Sequence, residues 1–145
     1  MLTHRAKYAI KALLHLAAQP TQGMVQAAAI AEAESIPIKF LETILVQLRT
    51  NGIIRSKVGK GGGHELIKKP ENILLLDVVR LIDGPVAPLP CLSKTAYRKC
   101  DDCADENTCG VRRLFAPAHE AAIKQLEGTS LADAHVSITK KKTKR

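Results

Sequence analysis

The chain has 145 residues and a formal net charge of +8, with 46% hydrophobic but only 3% aromatic residues. This length allows one core, or a small domain with an appended element, and the composition favours a mostly helical protein packed with aliphatic side chains. No apolar run approaches the roughly 18 residues of a membrane helix, and Lys7 and Lys11 interrupt the apolar residues that a signal peptide needs. A cytoplasmic protein is therefore expected.

The charge is distributed unevenly along the chain. Residues 1–69 hold 10 Lys and Arg against 4 Asp and Glu, whereas residues 70–139 hold 7 against 10, and the tail at 140–145 adds five cations. A basic half followed by a mildly acidic half is typical of a nucleic-acid binder with a separate regulatory portion. A solvated charged surface explains the same numbers, so charge alone does not decide between them.

The first 18 residues predict an amphipathic helix. Thr3 can cap its start, and the segment from Pro20 to Gly23 ends it because neither proline nor glycine continues a helix comfortably. The apolar stripe of this helix consists of Ala6, Ile10, Leu13, Leu14 and Ala17.

A helix-turn-helix is predicted next. An Ala-rich helix over residues 26–34, with Ala28, Ile30 and Ala31 expected in the core, is followed within three residues by a helix over about 37–50. Two helices joined so closely, the second with polar side chains facing outward, are typical of DNA-binding proteins. The buried face of the second helix is predicted to be Leu41, Ile44, Leu45 and Leu48. An ordinary helical hairpin has the same pattern.

A β-hairpin after these helices completes the pattern of a winged helix. Residues 53–58 are β-prone, residues 59–63 form a glycine-rich turn, and residues 64–67 can return as the second strand. The loop lacks the spacing and the final Lys-Ser/Thr of a P-loop. A glycine-rich tip allows the backbone to approach a phosphate chain closely, while Lys57 and Lys60 supply charge.

The C-terminal part predicts one more short helix, which stops at Asp83, and then a longer helix after Cys109. Pro117 should kink the longer helix or begin a second one there. Little of the chain is left to cover its apolar stripe, so a partner subunit is the natural cover and a homodimer is expected. A short helix is expected from Ser130 to His135, followed by a disordered basic end. The stripe consists of Val111, Leu114, Phe115, Ala118, Ala122 and Leu126.

All the cysteines of the chain lie in one segment with the spacing C-x8-C-x2-C-x5-C. Clustered thiols of this kind bind a soft metal, form disulfides or sense oxidants. An iron–sulfur cluster, of either the 2Fe-2S or the 4Fe-4S type, is the favoured interpretation, held by all four thiols or by three of them. Structural zinc usually has two close pairs of cysteines, and a metal-free thiol switch also stays open. The candidate metal ligands are Cys91, Cys100, Cys103 and Cys109.

A thiol oxidoreductase using Cys100 and Cys103 is the rival from a different functional class. That pair does not lie between a strand and a helix as such motifs require, and neighbouring carboxylates such as Asp101 and Asp102 would raise the thiol pKa. Ser93 lacks a visible His/Asp partner, and no pair of carboxylates suggests hydrolysis. No enzymatic activity is therefore expected.

At this point the sequence resembles the Rrf2 family of bacterial winged-helix transcriptional regulators, the IscR- and NsrR-like group, over about residues 1–135. The resemblance implies a homodimer paired through the long helix after the cysteines, and an iron–sulfur cluster that governs DNA affinity in many members. The matching stretches are Lys7-Tyr8-Ala9-Ile10, Phe40-Leu41-Glu42, Leu48-Arg49, Asn51-Gly52-Ile53-Ile54, Gly61-Gly62-Gly63, Leu66 and the cysteine segment.

The resemblance also assigns candidate DNA contacts. It places Lys39, Phe40 and Glu42 where members contact bases or phosphates, and it places Lys57, Lys60 and the glycines in a wing that enters a minor groove. The outward-facing Thr43 and Arg49 belong to the same candidate surface. The full set is Lys39, Phe40, Glu42, Thr43, Arg49, Lys57, Lys60, Gly61 and Gly62.

The chain departs from the family pattern at two cluster ligands. One cluster-binding type has a histidine three residues after the last cysteine, where this chain has Arg112. Another type uses a carboxylate from the partner's first helix, where this chain has Lys7. The resemblance therefore implies a cluster without specifying its type or its fourth ligand.

These observations predict a dimeric, DNA-binding transcriptional repressor that responds to iron, oxidants or nitric oxide. Two-fold symmetry predicts a roughly palindromic operator of double-stranded DNA. The predicted fold is mainly α with a small β-hairpin, a winged helix-turn-helix plus a dimerisation helix. Its parts are a DNA-binding domain at 1–83, a cysteine-rich sensor loop at 84–110, dimerisation and C-terminal helices at 111–138, and a basic disordered tail at 139–145.

Overall fold

The computed structural model describes residues 2–19 and 23–134, and within these ranges the fold is mainly α with one β-hairpin, as predicted. None of the helices described is long and apolar enough to cross a membrane. The expected basic tail and the end of the last predicted helix at His135 lie outside the described residues. In chain order the elements are α1 (His4–Ala17), α2 (Ala27–Glu34), α3 (Ile38–Thr50), β1 (Ile54–Lys57), β2 (Gly63–Leu66), α4 (Leu75–Asp83) and α5 (Gly110–Glu127), with 3₁₀ turns at Pro70–Asn72 and Pro90–Leu92 and a helical stretch at 131–134.

Helix α1 lies at the centre of the fold, where it packs against α2, α3, α4 and β2. The Thr3 hydroxyl caps it by accepting a hydrogen bond from the Ala6 amide at 3.1 Å. The buried face is rotated from the predicted stripe, since Ile10, Leu14 and Ala17 are only half-buried. The buried residues are Ala6, Ala9, Ala12, Leu13 and Leu16. Three alanines on this face allow the neighbouring helices to approach closely.

The tight break between α2 and α3 forms the predicted helix-turn-helix. Ser35 ends α2 in the left-handed conformation, with φ of 54°, and the amide of the buried Ile36 donates to the Ala31 carbonyl at 2.9 Å. All four α3 residues predicted for the core are buried. The prediction for Ala28 was wrong, because the short α2 turns only Ile30 and Ala31 fully inward and leaves Ala28 exposed.

The hairpin pairs Ile54 with Leu66 and Lys57 with Gly63 in an antiparallel register. A third stretch of extended chain joins it at Val25, whose amide donates to the His64 carbonyl at 2.9 Å and whose carbonyl accepts from the His64 amide at 2.8 Å. Gly63 permits this contact, since a Cβ there would lie 2.6 Å from the Val25 carbonyl. The wing is therefore attached directly to the segment that leads into α2.

The C-terminal helix α5 is continuous through Pro117, so no second helix begins there. It packs against α4, and its buried side chains are His119 and Ile123. The chain after α5 then returns to the N-terminal half: the Leu75 amide donates to the Thr129 carbonyl at 2.8 Å, and Leu131 is buried within the main core.

Truncation of the α3 core should unfold the protein far more readily than truncation of its exposed face. We expect Ile44→Ala to lower the free energy of unfolding by about 2–5 kcal/mol, because Ile44 has no exposed surface and its removal leaves a cavity. Val46→Ala in the same helix, where the side chain is 52% exposed, is the matched control and should change it by less than about 0.5 kcal/mol. Urea denaturation of both variants, followed by circular dichroism, measures the difference, and equal decreases would contradict the packing described.

Candidate DNA-binding surface and cysteine cavity

The outward face of α3 carries the sequence-predicted contact residues. Lys39, Glu42, Thr43 and Arg49 are exposed. Phe40 has a mixed role: its ring is 42% exposed and meets the Tyr8 ring of α1 edge-on, with centroids 5.7 Å apart. This aromatic contact fixes the start of α3 relative to α1, beside the exposed polar residues.

The tip of the hairpin presents Lys57, Lys60 and Gly61 to solvent. Gly62 is buried instead, and a Cβ at this position would lie 2.2 Å from the Lys57 carbonyl oxygen. Gly62 therefore allows the tight turn that displays its neighbours. A cross-strand ion pair between Arg55 and Glu65 stiffens the strands below the tip.

All four cysteines line the same cavity, which has a volume of about 300 Å³. Cys91 is buried and the other three are half-buried. Partial burial, followed by the negative charge of the Cys91 sulfur, raises the pKa of the Cys100 thiol. Burial and the nearby Cys109 sulfur likewise raise the pKa of the Cys103 thiol. The thiols thus oppose one another's ionisation, as grouped acidic ligands do before a cation joins them.

The cysteines of this cavity are the type of ligand that an iron–sulfur cluster takes. Within residues 2–19 and 23–134, no three His, Cys, Asp or Glu side chains are grouped so as to hold one ion. Tetrahedral zinc needs its ligands to converge on a point, whereas a cluster is bound by thiolates placed around a larger inorganic core. Four thiols spread around a cavity match the second arrangement.

The first turn of α5 is built from the cysteine site. Cys109 is the N-cap of α5, and its sulfur accepts a hydrogen bond from the Arg112 amide at 3.4 Å. The Arg112 guanidinium extends back and donates from Nη1 to the Cys91 carbonyl at 2.7 Å. The same Nη1 lies 3.8 Å from Glu106 Oε2, and Glu106 Oε1 accepts a hydrogen bond from the Tyr97 hydroxyl at 2.5 Å. That hydrogen bond is the main reason why the pKa of Tyr97 is raised.

A second side chain of α5 holds the same segment. His119 is buried, and its Nε2 lies 3.2 Å from the Leu92 carbonyl oxygen. The carbonyls of two consecutive residues, Cys91 and Leu92, are therefore held by two residues of one helix. The sequence interpretation missed this connection. Its only signal is the seven-residue spacing between Arg112 and His119, which places both on one face of a helix.

Comparison with known proteins decides the family. The family model described as an iron-dependent transcriptional regulator, Rrf2, matches residues 2–135. The chain belongs to the Rrf2 family. An rrf2-like HTH-type transcriptional regulator of Rhodobacter capsulatus is 43% identical over 136 residues, covering 92% of this chain and 91% of that protein. The IscR regulator of Aliivibrio salmonicida is 30% identical over 135 residues, covering 93% of this chain and 77% of that protein.

Solved structures agree on the fold of this Rrf2 protein. CymR of B. subtilis, described as a global cysteine regulator, superimposes with a TM-score of 0.75 at 23% identity, covering 92% of this chain and 95% of that one. IscR of T. potens gives 0.71 at 22% identity, with coverage of 95% and 88%. The winged-helix fold is confirmed. The chain is a transcriptional regulator of this family and not an enzyme, so DNA is its expected partner.

Removal of the Arg112 guanidinium should expose the cysteine segment. In Arg112→Lys the ammonium cannot reproduce the planar guanidinium that reaches the Cys91 carbonyl and Glu106, so we expect the buried Cys91 of the metal-free protein to react severalfold faster with iodoacetamide. Arg113→Lys is the matched control, because the Arg113 side chain reaches only the Asn107 carbonyl, at 3.5 Å. Mass spectrometry of the alkylated peptides gives the rates. Equal Cys91 rates in the two variants would show that Arg112 does not hold the segment.

Proposed function

We propose that this chain is a homodimeric repressor that binds a roughly palindromic operator, with its affinity set by an iron–sulfur cluster in the cysteine cavity. The observation that carries the proposal is the attachment of that cavity to α5, because Cys109 is both a wall of the cavity and the cap of the helix. The family description as iron-dependent regulators and the IscR relatives support the same metal.

The DNA-reading part of the proposal rests on α3 and the wing. Lys39, Glu42, Thr43 and Arg49 would face the major groove, with Phe40 at its edge, and Lys57, Lys60 and Gly61 would reach the adjacent minor groove. The hairpin and α3 pack against each other, so the two reading elements move as one unit. Residues 1–83 would form this DNA-binding domain. The protein would act in the cytoplasm, where bacterial DNA lies.

The dimer part rests on the uncovered stripe of α5. Leu114 is 78% exposed, Val111 is 52% exposed and Phe115 is 50% exposed, while the opposite face of the helix is held to α4 and to the cysteine segment. An exposed apolar strip of this kind marks an interaction site, and a second copy of the same strip is its simplest complement. Residues 111–138 would supply the dimer contacts, with 84–110 as the sensor loop.

In the loaded protein, Cys91, Cys100, Cys103 and Cys109 would hold the cluster, which supplies one-electron redox chemistry and sensitivity to oxidants and nitric oxide. The chain's own residues then transmit the state of the site. Arg112 and His119 connect the Cys91–Leu92 segment to α5, and α5 packs on α4 of the DNA-binding domain. A change in the order of the loop therefore biases the orientation of α5, and with it the spacing of two reading heads.

A metal-free thiol switch is the second candidate, and one observation favours it. All four thiols line one cavity and none of them is in a disulfide, so two of them are available to form one. With a peroxide as oxidant, one thiolate would form a sulfenic acid with loss of water, and the second thiol would displace a second water to give a disulfide. A CymR structure from Staphylococcus aureus is described as an oxidized form, and it is 24% identical to this chain.

Metal content separates the two candidates. We expect anaerobically purified protein to be coloured and to contain iron and acid-labile sulfide, and we expect replacement of all four cysteines by serine to abolish both. The parent protein should change its affinity for a duplex selected from a random pool when iron is removed, whereas the serine variant should not. Fluorescence anisotropy measures the binding. A colourless protein whose DNA affinity responds only to peroxide would contradict the iron–sulfur proposal and support the thiol switch.

The wing lysines should contribute to affinity by neutralising DNA phosphates. We expect Lys57→Gln with Lys60→Gln to weaken binding to any duplex and to reduce the slope of log K against log salt by about one for each phosphate that is no longer neutralised. Lys124→Gln with Lys94→Gln, two exposed lysines outside α3 and the wing, removes the same two charges; this charge-matched control should leave the slope nearly unchanged. Identical slopes for wing and control variants would remove the wing from the DNA interface.

A further inference from the structure

A cleft of about 190 Å³ lies between helix α3 and the wing, and polar side chains from both elements line it. Its α3 wall carries Glu42, Val46 and Arg49, and its hairpin wall carries Ser56 and His64. Ala27, the first residue of α2, closes one side. The two walls are the elements that would enter neighbouring grooves of DNA, and the sugar-phosphate backbone runs between neighbouring grooves.

The cleft offers an anion a cation that is not already paired. Within the described residues, the Arg49 side chain makes no hydrogen bond and no ion pair, although it raises the local positive potential enough to act on His64. The N-cap residue of α2, Gln26, makes no side-chain capping bond, so the positive end of the α2 dipole adds to the potential at Ala27. The carboxylate in the cleft, Glu42, lies seven residues before Arg49, which is roughly 10 Å along the helix axis.

His64 is the titratable group of this cleft. Its Nδ1 lies 2.7 Å from the Ser56 hydroxyl, which fixes the ring across the hairpin. Partial burial, and then the positive charge of Arg49, lower the pKa of His64. The other charged group that α3 places in the cleft is Glu42, and the neighbouring Glu65 of β2 pairs with Arg55.

We propose that the cleft is a proton-linked binding site for a DNA phosphodiester, seated between Arg49, Ser56 and His64. The proposal rests on the proposed function and adds a phosphate site and its regulation to it. A phosphate in the cleft places a negative charge beside both cations, so the repulsion between Arg49 and a protonated His64 is replaced by attraction of both to the same anion. Binding of DNA then takes up a proton at His64, and affinity rises as the pH falls.

The expected size of the effect follows from linkage. If the pKa of His64 rises by about one unit on binding, protonation contributes up to about tenfold to the affinity. The gain is fully present below the pKa of the free protein and is lost as the pH rises through the higher pKa of the complex. Because the pKa of His64 in the free protein lies below the ordinary value of about 6.5, the window begins on the acid side of that value.

The test follows the anisotropy of a fluorescein-labelled mixed-sequence duplex from about pH 5 to about pH 8 at constant ionic strength. We expect the affinity of the parent protein to fall severalfold more over this range than that of His64→Gln, which keeps a hydrogen-bonding side chain without the titration. His15→Gln is the matched control, since His15 contacts Glu34 outside the cleft, and it should follow the parent. Circular dichroism establishes that each variant is folded.

A second measurement follows the protonation of His64 directly and does not depend on the affinity for DNA. The Cε1 proton of His64, assigned by its absence in His64→Gln, should titrate in NMR spectra at a higher pH with the duplex bound than without it. Parallel pH profiles for the parent and His64→Gln, or an unchanged His64 titration in the complex, would overturn the phosphate site. Failure of the parent protein to bind any duplex would instead overturn the proposed function itself.

Discussion

Close approach of helices around α1 is the constraint on which the rest of this structure depends. Ala6, Ala9 and Ala12 have no exposed surface, and with so little side chain between them α3 and α4 can lie directly on the backbone of α1. A larger side chain at any of the three would push α3 outward, because interiors packed at this density do not absorb extra volume. The position of the exposed face of α3 is therefore determined by the alanines of α1 on the opposite side of the core.

A second set of contacts links this core to the cysteines. Helix α5 connects the winged-helix part to the cysteine segment, because it packs on α4 and holds the carbonyls of Cys91 and Leu92 through Arg112 and His119. These contacts are made to main-chain carbonyls, so they hold the segment in position without using its side chains. The cysteine sulfurs thus stay available for ligation while the chain that carries them is held in place.

Sequence reasoning recovered the elements whose signal is local. The period of apolar residues in α3, the break at 35–37 and the glycine-rich turn of the hairpin each appear where predicted, to within one or two residues. Continuity of α5 was harder to foresee, because Pro117 removes a helical hydrogen bond; it lies on an exposed face, where the Arg113 carbonyl left without that bond can be hydrated. The predicted buried face of α1 was wrong in part. Alanines contribute little to an apolar pattern in the sequence, although they lie where the helices pack most closely.

The residues of the cysteine cavity and of the candidate DNA-binding surface could be predicted from the sequence, but the contacts between them could not. The four cysteines of the cavity and the exposed cations of α3 and the wing could be chosen from residue type and spacing. The contacts of Arg112 and His119 with carbonyls 21 and 27 residues earlier, and the cleft between Arg49 and His64, depend on tertiary placement that no local pattern encodes.

The return of the chain at Thr129 and Leu131 has a consequence for how such regulators diversify. Ile73 and Leu75, just before α4, bond to Leu131 and Thr129, so the chain from α4 to the end of α5 begins and ends at adjacent points. Because α4 and α5 pack on each other, the segment between them can be lengthened, shortened or given different ligands without moving either helix. Substitutions in that segment can therefore change what it binds while the winged-helix framework stays the same.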